Sequence, residues 1–240
     1  MNKSGREKPT KYKHIFLDLD NTLWNFDFDV KNAFSKLISE NDLLNKLNIN
    51  SQDIFIKAYK SHNKKLWEQY KNEEITKEQL CFERFKRPLE DFGCHNTDFA
   101  NTISKSYLDH LSSKVTLIAG ANDILEYLKE KYLLYVITNG FEEIQFKKLD
   151  KSGLKKYFTK IITSELAGAK KPNPEIYKYA LKSAGANVYD SLMIGDDPES
   201  DIIAASEAGL DQCFFDFGEL GTNTHATYTI KKLDELKNFL

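Results

Sequence analysis

Short apolar runs that end abruptly in polar clusters recur along this chain, and they predict buried parallel strands opening into loops. His14 and Ile15-Phe16-Leu17 run into Asp18-Leu19-Asp20-Asn21. Residues 133–138 repeat the design and end in Thr138-Asn139-Gly140; residues 160–164 form a third run, and residues 191–195 end in Asp196-Asp197-Pro198. Two further short strands are expected at residues 212–216 and 226–230. Between the strands the apolar spacing becomes helical, at residues 122–131, 141–152, 174–184 and 199–208, with a last helix from Lys232. Gly153, Gly185 and Gly209 follow three of these helices, where a left-handed cap is common, and Pro198 suits a first helical turn. Strands alternating with helices over residues 112–240 predict an α/β fold with a doubly wound parallel sheet, because each parallel pair needs a crossover.

The first strand lies far upstream of the others, and the intervening stretch has helical periodicity. Phe55, Tyr59, His62 and Leu66 recur at i, i+4, i+7 and i+11, the stripe of an amphipathic helix. Residues 29–45, 76–92 and 97–111 are further helix candidates, giving about four in all. The expected division is therefore a core of residues 1–26 and 112–240, interrupted by an all-helical domain at residues 27–111. The first ten residues, with Gly5 and Pro9 among polar neighbours, read as a loose arm.

Composition narrows the function classes. Of the 240 residues, 41% are hydrophobic and 29% charged, as in an ordinary globular protein, and the net charge of -2 provides no field to attract a nucleic-acid polymer or an anionic membrane. Lysine-rich runs at residues 57–65 and 147–156 are mixed with acids and apolar residues, so they read as solvated helix faces. Cys81, Cys94 and Cys213 have no metal-ligand spacing, and the five histidines form no spaced pair. With no apolar run of signal-peptide or membrane-spanning length, a cytoplasmic setting is expected.

In an open parallel sheet, ligands bind beyond the carboxyl ends of the strands, where the polar clusters of this chain fall. Asp18, Asp20, Thr138, Asn139, Asp196 and Asp197 are thus expected to meet. Carboxylates so close repel one another and any phosphate; a hard divalent cation resolves the conflict, and magnesium suits oxygen ligands joined by a substrate phosphate. Asp18 and Asp20 share a face of an extended segment. One can attack phosphorus to give an aspartyl-phosphate, while the other donates a proton to the leaving oxygen and later takes one from water. Thr138 offers a hydroxyl and Asn139 a backbone N–H to phosphate oxygens, and Lys171 adds a fixed positive charge. Taken singly, the features have plainer readings: Asp-x-Asp as a turn or cap, Thr138-Asn139-Gly140 as a turn, Asp197-Pro198 as a helix start and Lys170 as a solvated neighbour.

Together, Asp18 to Thr22, Thr138 to Gly140, Lys171 to Pro174 and Gly195 to Asp201 resemble, in order and in structural context, the four motifs of the haloacid dehalogenase superfamily. The resemblance implies a Rossmann-like core with a helical cap after the first strand. It makes Asp18 the nucleophile and a metal ligand. Asp20 becomes the general acid/base and lends its backbone carbonyl to the metal; Asp196 is the third protein ligand, and Asp201 supports Lys171 or a metal-bound water. Asp20 favours a phosphatase over a dehalogenase, since halide departure needs no proton donor. The stretch Asn63-Lys64-Lys65-Leu66-Trp67-Glu68-Gln69-Tyr70, with Ile75-Thr76, Arg84-Phe85 and Phe141, is similar to bacterial pyrimidine 5'-nucleotidases. Asn63, Trp67 and Tyr70 share a helical side at i, i+4 and i+7, which makes Asn63 and Trp67 candidate substrate contacts, although Trp67 and Tyr70 on a helix more often serve packing. The implied activity is magnesium-dependent hydrolysis of a small phosphate monoester, a pyrimidine nucleoside monophosphate. Its rivals are a sugar-phosphate or phosphoglycolate-type phosphatase and a catalytically silent binding protein.

Overall fold

The computed structural model describes residues 11–218, 221 and 224–240; the expected loose arm at residues 1–10 lies outside the described residues. Strand β1 (His14–Leu17) is followed by five helices, α1 (Phe26–Glu40), α2 (Leu43–Lys46), α3 (Gln52–Lys71), α4 (Lys77–Asp91) and α5 (Thr97–Ser113). Next come α6 (Ala121–Lys129), β2 (Leu133–Thr138), α7 (Glu142–Ser152), β3 (Lys160–Thr163), α8 (Ser164–Ala167) and α9 (Pro174–Ala184). The chain closes with β4 (Ser191–Gly195), α10 (Ala204–Glu207), β5 (Asp211–Phe215), β6 (Tyr228–Ile230) and a 3-10 turn at Leu233–Asn238. It divides into two packed units, residues 1–25 with 117–240, and Phe26–Thr116.

In the first unit all six strands are parallel, in the order β3-β2-β1-β4-β5-β6. The doubly wound α/β sheet is thus present, and its switch point lies between β1 and β4, where successive strands begin to be added on the other side. Alternation within the strands fills both faces. Ile15, Leu17, Leu134, Val136, Leu192 and Ile194 pack with Ile124, Leu125 and Leu128 of α6. Phe16, Tyr135, Ile137 and Met193 pack instead with Ile176, Tyr177 and Ala180 of α9.

The helical unit is built on an aromatic cluster. Phe34 of α1 lies 4.6 Å from Tyr59 of α3 and 5.2 Å from Tyr107 of α5, and Phe85 of α4 lies 5.0 Å from Tyr59, centroid to centroid. Phe55, Tyr59 and Leu66 form the buried stripe, whereas His62 is half-buried and pairs with Asp91 of α4 at 2.7 Å. Residues 29–45, expected as one helix, are two, because Asp42 adopts a left-handed backbone (φ 51°) between α1 and α2. The unit extends to Thr116, whose N–H and hydroxyl both donate to the Asp29 carboxylate at 2.7 Å. No helix among the described residues is long and apolar enough to cross a membrane.

Residues 199–208 also differ from a single regular helix. The chain makes a wide π-type turn over Pro198–Ile203 before α10. Asp197 caps the turn, accepting from the N–H groups of Glu199 and Ser200 at 3.0 and 2.8 Å. Asp201, within the turn, is directed back toward the end of β4, as described below.

Candidate active site

Beyond Leu17 the β1 backbone continues one step, Asp18 N–H donating to Ile194 O at 2.9 Å, so Asp18 sits at the switch point and is buried. The loop then folds on itself. Asn21 takes a left-handed backbone (φ 62°), a conformation that asparagine tolerates, and its N–H donates to Trp24 O at 2.7 Å. This return brings the Thr22 hydroxyl to within 3.2 Å of Asp196 Oδ1, at the end of β4.

Lys171 joins the next two motifs. Its backbone is held by the Asn139 side chain, which donates from Nδ2 to Lys171 O at 2.7 Å and accepts the Lys171 N–H at 2.8 Å. Its buried ammonium donates to Asp18 Oδ1 at 2.6 Å, Asp201 Oδ1 at 2.5 Å and Ile137 O at 3.1 Å. Burial alone would pull the Lys171 pKa down, but Asp18 and Asp201 outweigh it and push the pKa well above its usual value. Gly195 is needed beside them: a Cβ there would lie 2.3 Å from Asp201 Oδ2.

The carboxylates respond in the opposite sense. Burial, with repulsion from Asp201 and Asp20, pushes Asp18 up to about 7 despite Lys171. Burial and the negative charges of Asp18 and Asp201 raise Asp196 to about 9. Asp18, Asp196 and Asp201 each turn one oxygen into a cluster whose members lie within 4.8 Å of one another. One ammonium cannot balance three carboxylates, and the raised values express burial first and that deficit second. A set of hard oxygen donors short of positive charge fits a dication of the magnesium type.

The Asp20 side chain is turned elsewhere. Its Oδ2 accepts from Gln145 Nε2 at 2.9 Å and its Oδ1 from Lys148 Nζ at 3.0 Å, both on α7. Lys148 belongs to the run 147–156 read above as a solvated face, and that reading fails for it: the residue is 3% exposed and its ammonium lies 3.4 Å over the Trp24 ring. Gln145 and Lys148 were missed because each looks like an ordinary polar helix position. The available signal was their spacing, since they share a face with the buried Ile144 and Leu149.

Thr138, at the end of β2, is buried. Its Oγ1 accepts from Gly140 N at 3.1 Å and from Gln145 Nε2 at 2.8 Å. The first unit thus brings together Asp18, Asp20, Thr138, Asn139, Lys171, Asp196 and Asp201. Asn63 and Trp67 belong to the helical unit, on α3. Asn63 Oδ1 is buried with no hydrogen-bond partner among the described residues, and Trp67 meets Tyr70 edge-on at 5.6 Å.

Residues 12–209 match the family described as haloacid dehalogenase-like hydrolase. The chain is 32% identical over 237 residues to the pyrimidine 5'-nucleotidase PynA of Streptococcus pneumoniae, covering 95% of each chain. It is 31% identical over 233 residues to the pyrimidine 5'-nucleotidase YjjG of Escherichia coli, covering 96% of this chain and 98% of that one. Among solved structures, the magnesium-bound putative hydrolase YfnB of Bacillus subtilis superposes with a TM-score of 0.84 at 28% identity, covering 95% and 98% of the two chains.

Proposed function

Because this chain belongs to the haloacid dehalogenase-like hydrolases, we propose that it is a magnesium-dependent phosphatase acting through Asp18 on pyrimidine nucleoside 5'-monophosphates. The observation that carries the chemistry is the buried Asp18 carboxylate, held 2.6 Å from Lys171 at the switch point, with Asp20 two residues on. Support for the substrate class is the similarity to two pyrimidine 5'-nucleotidases along nearly the whole chain, helical unit included.

In the first displacement an Asp18 oxygen attacks phosphorus, the ester P–O bond breaks, and the departing oxygen takes the proton of the Asp20 carboxyl. In the second, water attacks the aspartyl-phosphate, Asp20 takes its proton, and the bond from Asp18 to phosphorus breaks to release phosphate. Lys171 keeps Asp18 oriented and offsets charge developing on the phosphoryl oxygens, with Asp201 holding the ammonium in place. The Thr138 hydroxyl and the Asn139 backbone N–H are assigned to phosphate oxygens. Asp18, Asp196 and the Asp20 backbone carbonyl would hold the magnesium ion, which supplies Lewis-acid neutralisation of the phosphate charge. Recognition of the base is assigned to the helical unit, with Asn63 and Trp67 as its candidate contacts.

The test is a panel of monophosphates assayed with magnesium. Uridine and thymidine monophosphates should be turned over faster than purine nucleotides and sugar phosphates. Preference for sugar phosphates would reject the nucleotidase reading and leave the phosphatase chemistry intact. Asp18→Asn should lower turnover of every substrate by more than about a thousandfold; undiminished turnover would reject Asp18 as nucleophile.

A further inference from the structure

Both acidic oxygens of Asp20 and the hydroxyl of Thr138 receive hydrogen bonds from one helix, α7. Gln145 Nε2 reaches Asp20 Oδ2 at 2.9 Å and Thr138 Oγ1 at 2.8 Å, while Lys148 Nζ reaches Asp20 Oδ1 at 3.0 Å. Gln145 is fully buried and Lys148 nearly so. An ammonium and an amide NH2 can only donate. Neither donor can take a proton from Asp20, so a proton on that carboxyl is not received by Gln145 Nε2 or Lys148 Nζ and points away from both; Gln145 Oε1, the acceptor of the same amide, is buried with no hydrogen-bond partner among the described residues.

The same logic applies to Thr138. A hydroxyl has two acceptor lone pairs and one donor hydrogen. Its lone pairs are used by Gly140 N–H at 3.1 Å and Gln145 Nε2 at 2.8 Å, which leaves the hydrogen as a donor for something else. The packing that permits this is tight. A Cβ at Gly140 would lie 1.9 Å from Gln145 Nε2 and 2.5 Å from its Cδ, so glycine at 140 and glutamine at 145 are matched.

We propose that Gln145, assisted by Lys148, is a positioning residue that sets the direction of two protons, that of the Asp20 carboxyl and that of the Thr138 hydroxyl, so that both face the reacting phosphate ester. The inference rests on the roles given above to Asp20 and Thr138, but not on the substrate being a nucleotide. Gln145 and Lys148 touch neither the phosphorus nor the leaving group; they act through Asp20 and Thr138. In the first displacement the proton leaves Asp20 for the ester oxygen as its bond to phosphorus breaks. The carboxylate so formed keeps both α7 donors, and it remains aimed to accept a proton from water in the second displacement.

The dependence on leaving group separates this role from a packing role. A simple alkyl phosphate expels an alkoxide and needs the proton, whereas p-nitrophenyl phosphate expels a phenolate that departs without one. Gln145→Met keeps the length and the apolar contacts but removes the donor. It should lower kcat for the alkyl phosphate about a hundredfold, against a loss of only a few-fold for p-nitrophenyl phosphate, with KM little changed. Lys148→Met should show the same selectivity at smaller size, and it serves if Gln145→Met does not fold. Lys148→Arg, which retains a donor, should recover most of the alkyl phosphate activity. Equal losses on the two substrates would assign α7 a structural role only, and no loss on either would overturn the inference. Neither outcome depends on nucleotide turnover, so failure of the nucleotide panel and failure of this inference are read separately.

Discussion

The sheet unit buries Lys171 as well as Lys148, the helical unit buries Arg84, and Lys171 and Arg84 are treated in opposite ways. In the sheet unit, Lys171 is enclosed by the carboxylates of Asp18 and Asp201 at 2.6 and 2.5 Å. In the helical unit, Arg84 is 4% exposed and has aromatic neighbours instead: its guanidinium lies 5.2 Å from the Tyr107 ring centroid and 5.7 Å from that of Phe85, with a hydrogen bond to Tyr59. Arg84 Nε and Nη2 have no hydrogen-bond partner among the described residues. A buried cation locked between anions stabilises those anions as much as itself, so its removal exposes their desolvation cost. A cation resting on aromatic faces leaves no buried opposite charge behind when it is replaced.

The largest effect should therefore come from Lys171→Met, which leaves Asp18 and Asp201 without their shared partner. A loss of about 3–5 kcal/mol is expected, seen as a fall in Tm of roughly 10 °C, together with loss of turnover. Arg84→Met, a change of similar kind in the other unit, should cost about 1 kcal/mol or less. Thermal unfolding of the two variants at neutral pH checks the contrast, and equal destabilisation would break it.

Magnesium and pH should sharpen the same difference. Asp18 and Asp196, raised to about 7 and about 9, hold protons in the folded chain that they lose near pH 4 when unfolded. Without added metal the folded state binds more protons than the unfolded one across that window, so stability falls as pH climbs from about 4 toward about 9. At the proposed site magnesium would favour the ionised carboxylates and bind only the assembled cluster, so added magnesium should raise Tm. The gain should be larger near about pH 8 than near about pH 5, where protons compete for the same oxygens. Asp196→Asn should remove most of the magnesium-dependent gain. A gain independent of pH, or one retained in that variant, would place the ion elsewhere.

The two units also differ in how far the amino-acid sequence announces them. Strand ends were legible because several short apolar runs each stop at a polar cluster, and Leu133–Thr138 and Ser191–Gly195 coincide with their expected ranges. The helical unit was legible as helices through its apolar stripe, but the break at Asp42 was not, since a left-handed residue inside a polar stretch leaves the periodicity on either side intact. Gln145 and Lys148 were hidden for another reason. Their partners, Asp20 and Thr138, come from two other strand ends, and a helix face shows its polar members as solvated unless the facing group is known. Likewise, Asp201 needed the wide turn at Pro198–Ile203 to reach Lys171, a local geometry that an ordinary helical pattern does not announce.

The smallest effect separates local from long-range specification. Helix α4 begins with a reciprocal cap: Thr76 Oγ1 accepts from Gln79 N–H at 3.2 Å, and Gln79 Oε1 accepts from Thr76 N–H at 2.8 Å. All its members lie within four residues, so the cap stabilises the helical unit without help from elsewhere in the chain. Thr76→Ala removes one half and strands the other, for a cost of about 1 kcal/mol and a fall in Tm of roughly 2–4 °C. Below the transition, p-nitrophenyl phosphate turnover and the magnesium-induced rise in Tm should match those of the unaltered chain, because Asp18, Asp196 and Lys171 are held by contacts within the sheet unit. Unchanged Tm would deny the cap its role. A lost magnesium response would show instead that the carboxylate site depends on the stability of the helices, and the contrast between a locally specified unit and an independently held site would fail.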